Sequence, residues 1–185
     1  MATSPDSSKW QVMAGRTIPY GHPPRTLRQK IRKVNNTILF RLAYGCPINS
    51  WRIMFHRWRG CHIGKGVYIG RHCFLDNMYP EYIYIYDGAS INADTMILTH
   101  FNPYEVWKTV LLAEVKPVVI GENAIVSVRS TIMPGVVIGK YSVVSAGMVI
   151  EKSIGDYTMV RSAGKTQQIN IQNLIQNKPT EKTAE

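Results

Sequence analysis

An all-β repeat, a parallel β-helix of hexapeptide steps with a basic helical N-terminal arm and a short C-terminal tail, is the fold this sequence predicts. Three observations carry that prediction. Ile, Leu or Val opens a step of six at Ile63, Ile69 and Leu75, again at Ile85, Ile91 and Ile97, and then without interruption at Ile120, Val126, Ile132, Ile138, Val144 and Ile150. These three residue types make up 44 of 185 positions, so an arbitrary register through the last six steps would meet one or two of them, not six. The fifth residue of most steps is small or β-branched: Val67, Cys73, Ala89, Thr95, Ala124, Ser130, Val136 and Ser142. Gly64, Gly70, Gly121 and Gly139 follow openers directly, where a corner must turn tightly.

An amphipathic helix would repeat near 3.6. A period of six with two inward positions instead makes each step one short strand plus a corner, and three steps close a triangular coil. The large and the small inward residue lie two apart, so both side chains enter the prism while their neighbours face out. Each coil buries its faces only against its neighbours, which is why the ends need caps. Twelve steps give about four coils.

Each segment follows in order. Residues 1–24 are Pro/Gly/Ser-rich and predicted to be poorly ordered. Residues 25–60 form the basic arm. Leu27, Ile31, Val34, Ile38 and Leu42 recur at helical spacing, with Arg28, Lys30, Arg32, Lys33 and Arg41 on other faces. Gly45-Cys46-Pro47 stops that helix, and Asn49 and Ser50 are placed to cap a second one containing Trp51, Ile53, Met54, Phe55 and Trp58 among Arg52, Arg57 and Arg59. Residues 61–165 are the β-helix, interrupted by a loop at 98–119. Residues 166–185 are a Gln/Asn-rich extension with Ile169, Ile171, Leu174 and Ile175, read as a short helix or strand and a frayed tail.

Charge separates the arm from the repeat. Residues 1–60 carry eleven Lys or Arg against Asp6 alone, while residues 61–185 carry eleven of each sign. Two readings fit the arm. It caps the first coil and turns its charges to water, or its tryptophans and cations suit an anionic membrane surface. No zinc-finger or RNA-recognition motif accompanies the charge, so nucleic acid is not expected. No apolar run is long enough to span a bilayer. Cys46, Cys61 and Cys73 form no spacing motif, and free thiols in a reducing cytoplasm are the expectation, with the arm at most peripheral to the inner face of the membrane.

The chemistry gathers at the breaks. The step from Ile97 to Ile120 spans 23 residues where six would suffice, so about seventeen leave the prism as a loop that opens Leu98-Thr99-His100-Phe101-Asn102-Pro103 and carries Tyr104, Glu105 and Trp107. His100 stands where a rigid coil becomes a projecting loop. Gly164-Lys165-Thr166 imitates the end of a phosphate-binding loop, but Met159 stands where that motif needs Gly.

Tyr79-Pro80-Glu81, Ile97-Leu98-Thr99-His100, Lys116-Pro117-Val118-Val119-Ile120-Gly121-Glu122-Asn123 and Met133-Pro134-Gly135-Val136-Val137-Ile138-Gly139 resemble the hexapeptide-repeat O-acetyltransferases. The resemblance covers roughly residues 60–160 and is nearest to the maltose/galactoside type and its relatives in cell-surface polysaccharide synthesis. It implies a left-handed coil, a homotrimer with active sites in the grooves between subunits, acetyl-CoA as donor and a saccharide acceptor. By family position His100 is the general base, a role that suits an imidazole at neutral pH. A carboxylate would orient its ring, and Glu105 is nearest in sequence. Asp76 and Asn77 fall where the relatives place a polar acceptor-binding residue. The resemblance lays the CoA track on Ser127, Val128, Ser145, Ala146, Gly147, Lys152, Arg161 and Lys165.

The chain departs from the relatives along that track. Val126-Ser127 replaces the usual Ile-Gly, Glu151 the usual Thr, and Ser162-Ala163-Gly164-Lys165 a Gly-x-Pro-Ala segment. A non-enzymatic trimeric scaffold is the alternative these departures leave open. A zinc enzyme on the same prism would need three clustered imidazoles. No His follows His100, and no metal is expected.

Overall fold

The computed structural model describes residues 10–20, 26–162 and 166–170. Its centre is a prism of three parallel sheets. The first face stacks His62–Ile63, Ile83–Ile85, Val118–Ile120 and Val137–Ile138; the third stacks Phe74–Leu75, Met96–Ile97, Thr131–Ile132 and Val149–Ile150. On the second face, Tyr68–Ile69, Ser90–Ile91, Ile125–Val126, Val143–Val144 and Thr158–Ser162 run parallel, and Thr166–Asn170 closes the edge antiparallel.

The registers turn the sequence period into coils. Ile120 pairs with Ile138, Val126 with Val144 and Ile132 with Ile150, each eighteen residues on, which is three steps of six. Ile63 pairs with Ile85, Ile69 with Ile91 and Leu75 with Ile97, twenty-two residues on, so the first break adds only four. Ile85 pairs with Ile120 across the long insertion. Both predicted inward positions are buried throughout: the openers from Ile63 to Ile150 stack along the axis, and Val67, Cys73, Ala89, Thr95, Ala124, Ser130, Val136 and Ser142 fill the corners.

The corner glycines have a different reason from the one expected. Gly64, Gly70, Gly121 and Gly139 are not left-handed. A Cβ on Gly70 would lie 2.4 Å from the backbone nitrogen of Ala93 in the next coil, so these positions are set by close approach between coils. The left-handed residue comes two positions later, at Gly66, His72, Gly88, Asp94, Asn123, Arg129, Gly135, Tyr141 and Gly147.

The arm consists of α1 (Leu27–Gly45) and α2 (Asn49–Trp58). Thr26 and Gln29 form a reciprocal capping box at the start of α1. Its amphipathicity is inverted. The predicted apolar stripe is turned outward, with Leu27, Ile31, Val34, Ile38 and Leu42 between 48% and 74% exposed. Ala43 is buried, and Phe40 packs edge-on against Phe74.

α2 seals the open end of the prism, and its arginines bond to the first coil rather than only to water. Within the prism the amide after each opener donates to the opener's carbonyl one coil later, as from Gly64 to Ile85 and from Gly70 to Ile91. No coil precedes the first, so the carbonyls of Ile63, Ile69 and Leu75 lack that donor. Arg57 donates to Ile63 and Gly64, Arg52 to Ile69 at 2.7 Å, and Arg59 to Leu75 and Asp76 at 3.0 and 2.6 Å. One arginine thus serves each face. Arg52 and Arg59 are 3% and 5% exposed. Asn49 does not cap α2, whose N-cap is Ile48 with no side-chain bond. Its amide donates instead to the Val67 carbonyl and its oxygen accepts from the Ile69 amide.

Residues 10–20, expected to lack order, lie along the first face. Trp10 packs on Tyr86 and His62, Ile18 is buried, and Arg16–Thr17 pairs antiparallel with Glu114–Val115. That strand pairs in turn with His100–Phe101, so the base of the long loop is a three-stranded sheet rather than free chain. The loop's apolar residues Tyr104, Val106, Trp107, Val110 and Leu112 are exposed. Among the described residues no helix is long and apolar enough to cross a membrane.

Candidate active site

Register alone brings two of the predicted residues together. Asp76 follows Leu75 and Leu98 follows Ile97, and because Leu75 pairs with Ile97 the corner carrying Asp76 lies directly against the one carrying His100. The Asp76 amide donates to the Ile97 carbonyl at 3.0 Å. The two side chains meet at 2.5 Å, His100 Nδ1 to Asp76 Oδ2.

Asp76 is fully buried and its carboxylate is saturated by donors of its own chain. Oδ2 accepts from the Thr99 amide at 2.9 Å, the Thr99 hydroxyl at 2.8 Å and His100; Oδ1 accepts from the amides of Met78 and Tyr79 at 2.7 and 3.4 Å. Burial pushes the Asp76 carboxyl up, but the hydrogen bond and charge of His100, with the amides of Thr99 and Met78, outweigh it and hold the group below its ordinary value. An ionised Asp76 accepting at Nδ1 places the imidazole proton there and leaves the lone pair on Nε2. Nε2 has no hydrogen-bond partner among the described residues, and the side chain is 23% exposed. Tyr79 packs edge-on against the ring at 5.4 Å between centroids.

Two expectations are corrected here. The carboxylate that orients His100 is Asp76, whereas Glu105 sits on an exposed turn and pairs with Lys108 at 3.4 Å. Asp76 turns to His100 and is not among the residues lining the neighbouring cleft. Asn77 does line a cleft of about 330 Å³ beside His100, together with Met78, Tyr79, Glu81, Asn102 and residues of α1. Its Oδ1 is buried without a partner among the described residues. Sequence reading missed Tyr79 and the α1 wall. The equal 22-residue spacing of openers from coil one to coil two was the available signal for the Asp76–His100 contact.

The residues assigned to the CoA track fall on two corners. Ser127, Val128, Ser145, Ala146 and Gly147 form a continuous column between the second and third faces: the Ser127 amide donates to Val144 and the Gly147 amide to Val128. Arg161 continues that column, since the Ser145 amide donates to Val160. Lys152 instead follows Ile150 on the third face, at the corner of His100 but two coils on. Lys165 lies outside the described residues. Ser127 and Ser145 are half-buried, and Lys152 and Arg161 are exposed cations. Among the described residues no three His, Cys, Asp or Glu gather as a metal site.

Residues 117–152 match the family model described as the hexapeptide repeat of succinyl-transferase. YvoF of Bacillus subtilis, a provisionally named acetyltransferase, is 27% identical over 160 residues, covering 83% of this chain and 80% of its own length. A maltose O-acetyltransferase from Clostridium difficile superposes with TM-score 0.61 at 19% identity, covering 79% of this chain and 89% of that one. A hexapeptide-repeat acetyltransferase of Vibrio cholerae solved with acetyl-CoA superposes with TM-score 0.60 at 16% identity, covering 82% and 93%. Repeat, coil geometry and relatives together liken this chain to the hexapeptide-repeat acetyltransferases.

Proposed function

We propose that the chain moves an acetyl group from acetyl-CoA directly to a hydroxyl of a sugar, polysaccharide or glycolipid, with His100 as general base. One observation carries the reading: the Asp76–His100 pair, whose buried ionised carboxylate fixes the imidazole tautomer and leaves Nε2 without a partner among the described residues, next to Tyr79, which lines a cleft. CoA supplies an already activated thioester. His100 Nε2 takes the acceptor's hydroxyl proton as the acceptor oxygen bonds to the acyl carbon, and that proton leaves with the thiolate when the carbon–sulfur bond breaks. Asp76 holds the ring and stabilises its transient positive charge.

A homotrimer of left-handed coils fits the division of the CoA residues. A donor lying along the axis meets both His100 and the Ser127–Ser145 column only where the corners of two chains are juxtaposed. The exposed apolar residues of the 98–119 loop suit such a neighbour. The outward apolar face of α1, in a stretch with no acid between Asp6 and Asp76, suits the surface of an anionic membrane on the cytoplasmic side. Sedimentation with anionic against neutral vesicles tests that contact.

The decisive experiment is thiol release from acetyl-CoA across a panel of saccharide acceptors. His100→Ala is expected to lower kcat by about 10²–10⁴, the usual contribution of a positioned base. Wild-type turnover in that variant would end the reading.

A further inference from the structure

The cleft beside His100 has a charge that acyl transfer to a neutral hydroxyl does not require. α1 presents its inverted polar face as one wall, the segment Arg16–Pro19 forms a second, and residues 77–81 form the floor. Three cations, Arg16, Arg32 and Lys33, face one carboxylate, Glu81, so the lining carries a net charge of +2. Glu81 Oε1 accepts from Arg32 at 3.1 Å, which accounts for one cation. Arg16 uses only Nε, donating to the Tyr82 hydroxyl at 3.2 Å, and the Lys33 ammonium has no partner among the described residues. Two acceptors are also unfilled: Asn77 Oδ1 and Glu81 Oε2 are buried without hydrogen bonds among the described residues. Such a site asks for a molecule that brings both an oxyanion and hydroxyl donors.

The cleft also lies on a definite side of His100. It is built from the first coil, α1 and the N-terminal segment, whereas the CoA column runs from the third coil onward toward the C-terminal end. Tyr79 both lines the cleft and packs on the His100 ring, whereas the column lies on another corner of the prism.

Resting on the acyltransfer reading, we infer that this cleft binds the anionic portion of the acceptor, a saccharide bearing a phosphate or carboxylate next to the hydroxyl that is acetylated. Arg16 and Lys33 hold the oxyanion. Asn77 and Glu81 accept from its hydroxyls, and the reacting hydroxyl points past Tyr79 to Nε2. The charged group is read by paired donors rather than by a metal.

The test measures thiol release from acetyl-CoA with methyl glucoside, glucose 6-phosphate and glucuronate at matched concentrations. The charged sugars are expected to exceed the neutral one by about tenfold or more in kcat/KM, and the ranking of phosphate over carboxylate identifies the oxyanion. Arg16→Gln and Lys33→Gln, both at exposed positions, are each expected to raise the KM for the charged acceptor about tenfold while leaving the KM for acetyl-CoA unchanged. Added salt should weaken wild type more than the double variant. Equal use of all three sugars with unchanged variants overturns the inference and leaves acyl transfer standing. A rise in the KM for acetyl-CoA overturns it differently, by giving the cleft to the donor's phosphates. Calorimetric titration of glucose 6-phosphate into His100→Ala, with and without Arg16→Gln and Lys33→Gln, reads the site without turnover. Binding lost only in the cleft variants supports the inference, and no binding to any of them overturns it.

Discussion

At the N-terminal end of the prism the outermost strand carbonyls are met by side chains, whereas at the C-terminal end the second face is met by main chain. Arg57, Arg52 and Arg59 each serve one face of the first coil. At the far end Thr166–Asn170 folds back antiparallel on Thr158–Ser162 and satisfies that edge by ordinary strand pairing. Both devices protect an edge that would otherwise template association. They differ in their demands. A hairpin asks only for extended chain, while a guanidinium must be desolvated and every donor directed. The arginine cap is thus the more specific and the more fragile of the two, and it leaves a mark in composition that the hairpin does not.

The largest effect is expected from Arg59→Met. Arg59 donates to Asn36, Leu75 and Asp76, contacts His56 and lies 4.9 Å over the Phe40 ring, so its loss orphans several buried acceptors at once. Urea unfolding should register a loss of about 3–5 kcal/mol. A loss below about 1 kcal/mol would break the comparison, because the cap would then be ornamental. Arg52→Met removes the donor to Ile69 and a bond to the Cys46 carbonyl, and about 2–3 kcal/mol is the expected loss by the same measurement.

Acid should distinguish the ends next. His56 is buried beside Arg59; burial first, then the charges of Arg59 and Arg52, hold its imidazole down at about 3 from an ordinary 6.5. Below pH 6.5 the unfolded chain therefore takes up a proton that the folded chain refuses, and stability present above pH 6.5 is lost as pH falls toward 3, by about 1.4 kcal/mol per unit. His62, also held low mainly by burial, adds in the same direction. Unfolding midpoints measured from pH 7 to 4 should fall with this slope in wild type and more shallowly in His56→Gln. No histidine follows His100, so the C-terminal coils lack this liability. The smallest effect is expected from truncation after Ser162, about 1 kcal/mol in unfolding, with concentration-dependent light scattering as the more sensitive readout of the bared edge. An unchanged scattering profile would mean that the far edge needs no cover.

Most of the prism was legible because its period is long, regular and written in residues with one preferred environment. The inward pair at Ile120 and Ala124, or Ile132 and Val136, follows from burial alone. The arm was less legible for a physical reason. Periodicity locates an apolar stripe but not the partner it faces, and α1 turns Leu27, Ile31 and Val34 outward because its inner face is occupied by Asn36, Phe40 and polar contacts to the first coil. Cations look alike in sequence whether they are solvated or buried, so Arg52 and Arg59 read as surface charge. At the site, His100 was marked by the loop boundary, but its carboxylate partner was sought nearby in sequence at Glu105. In a coil, neighbours in space are one turn apart in the chain, and the right candidate was Asp76.

Because each coil touches only the coils beside it, the molecule behaves as a short one-dimensional array in which the ends fray before the middle. The Asp76–His100 contact bridges the first and second coils, the pair nearest the arginine cap. Detachment of one terminal coil would therefore separate the two side chains while the later coils stayed folded. Loss of activity on warming should precede loss of sheet content, and amide exchange should be faster at Leu75 and Asp76 than at Ile132 or Val144.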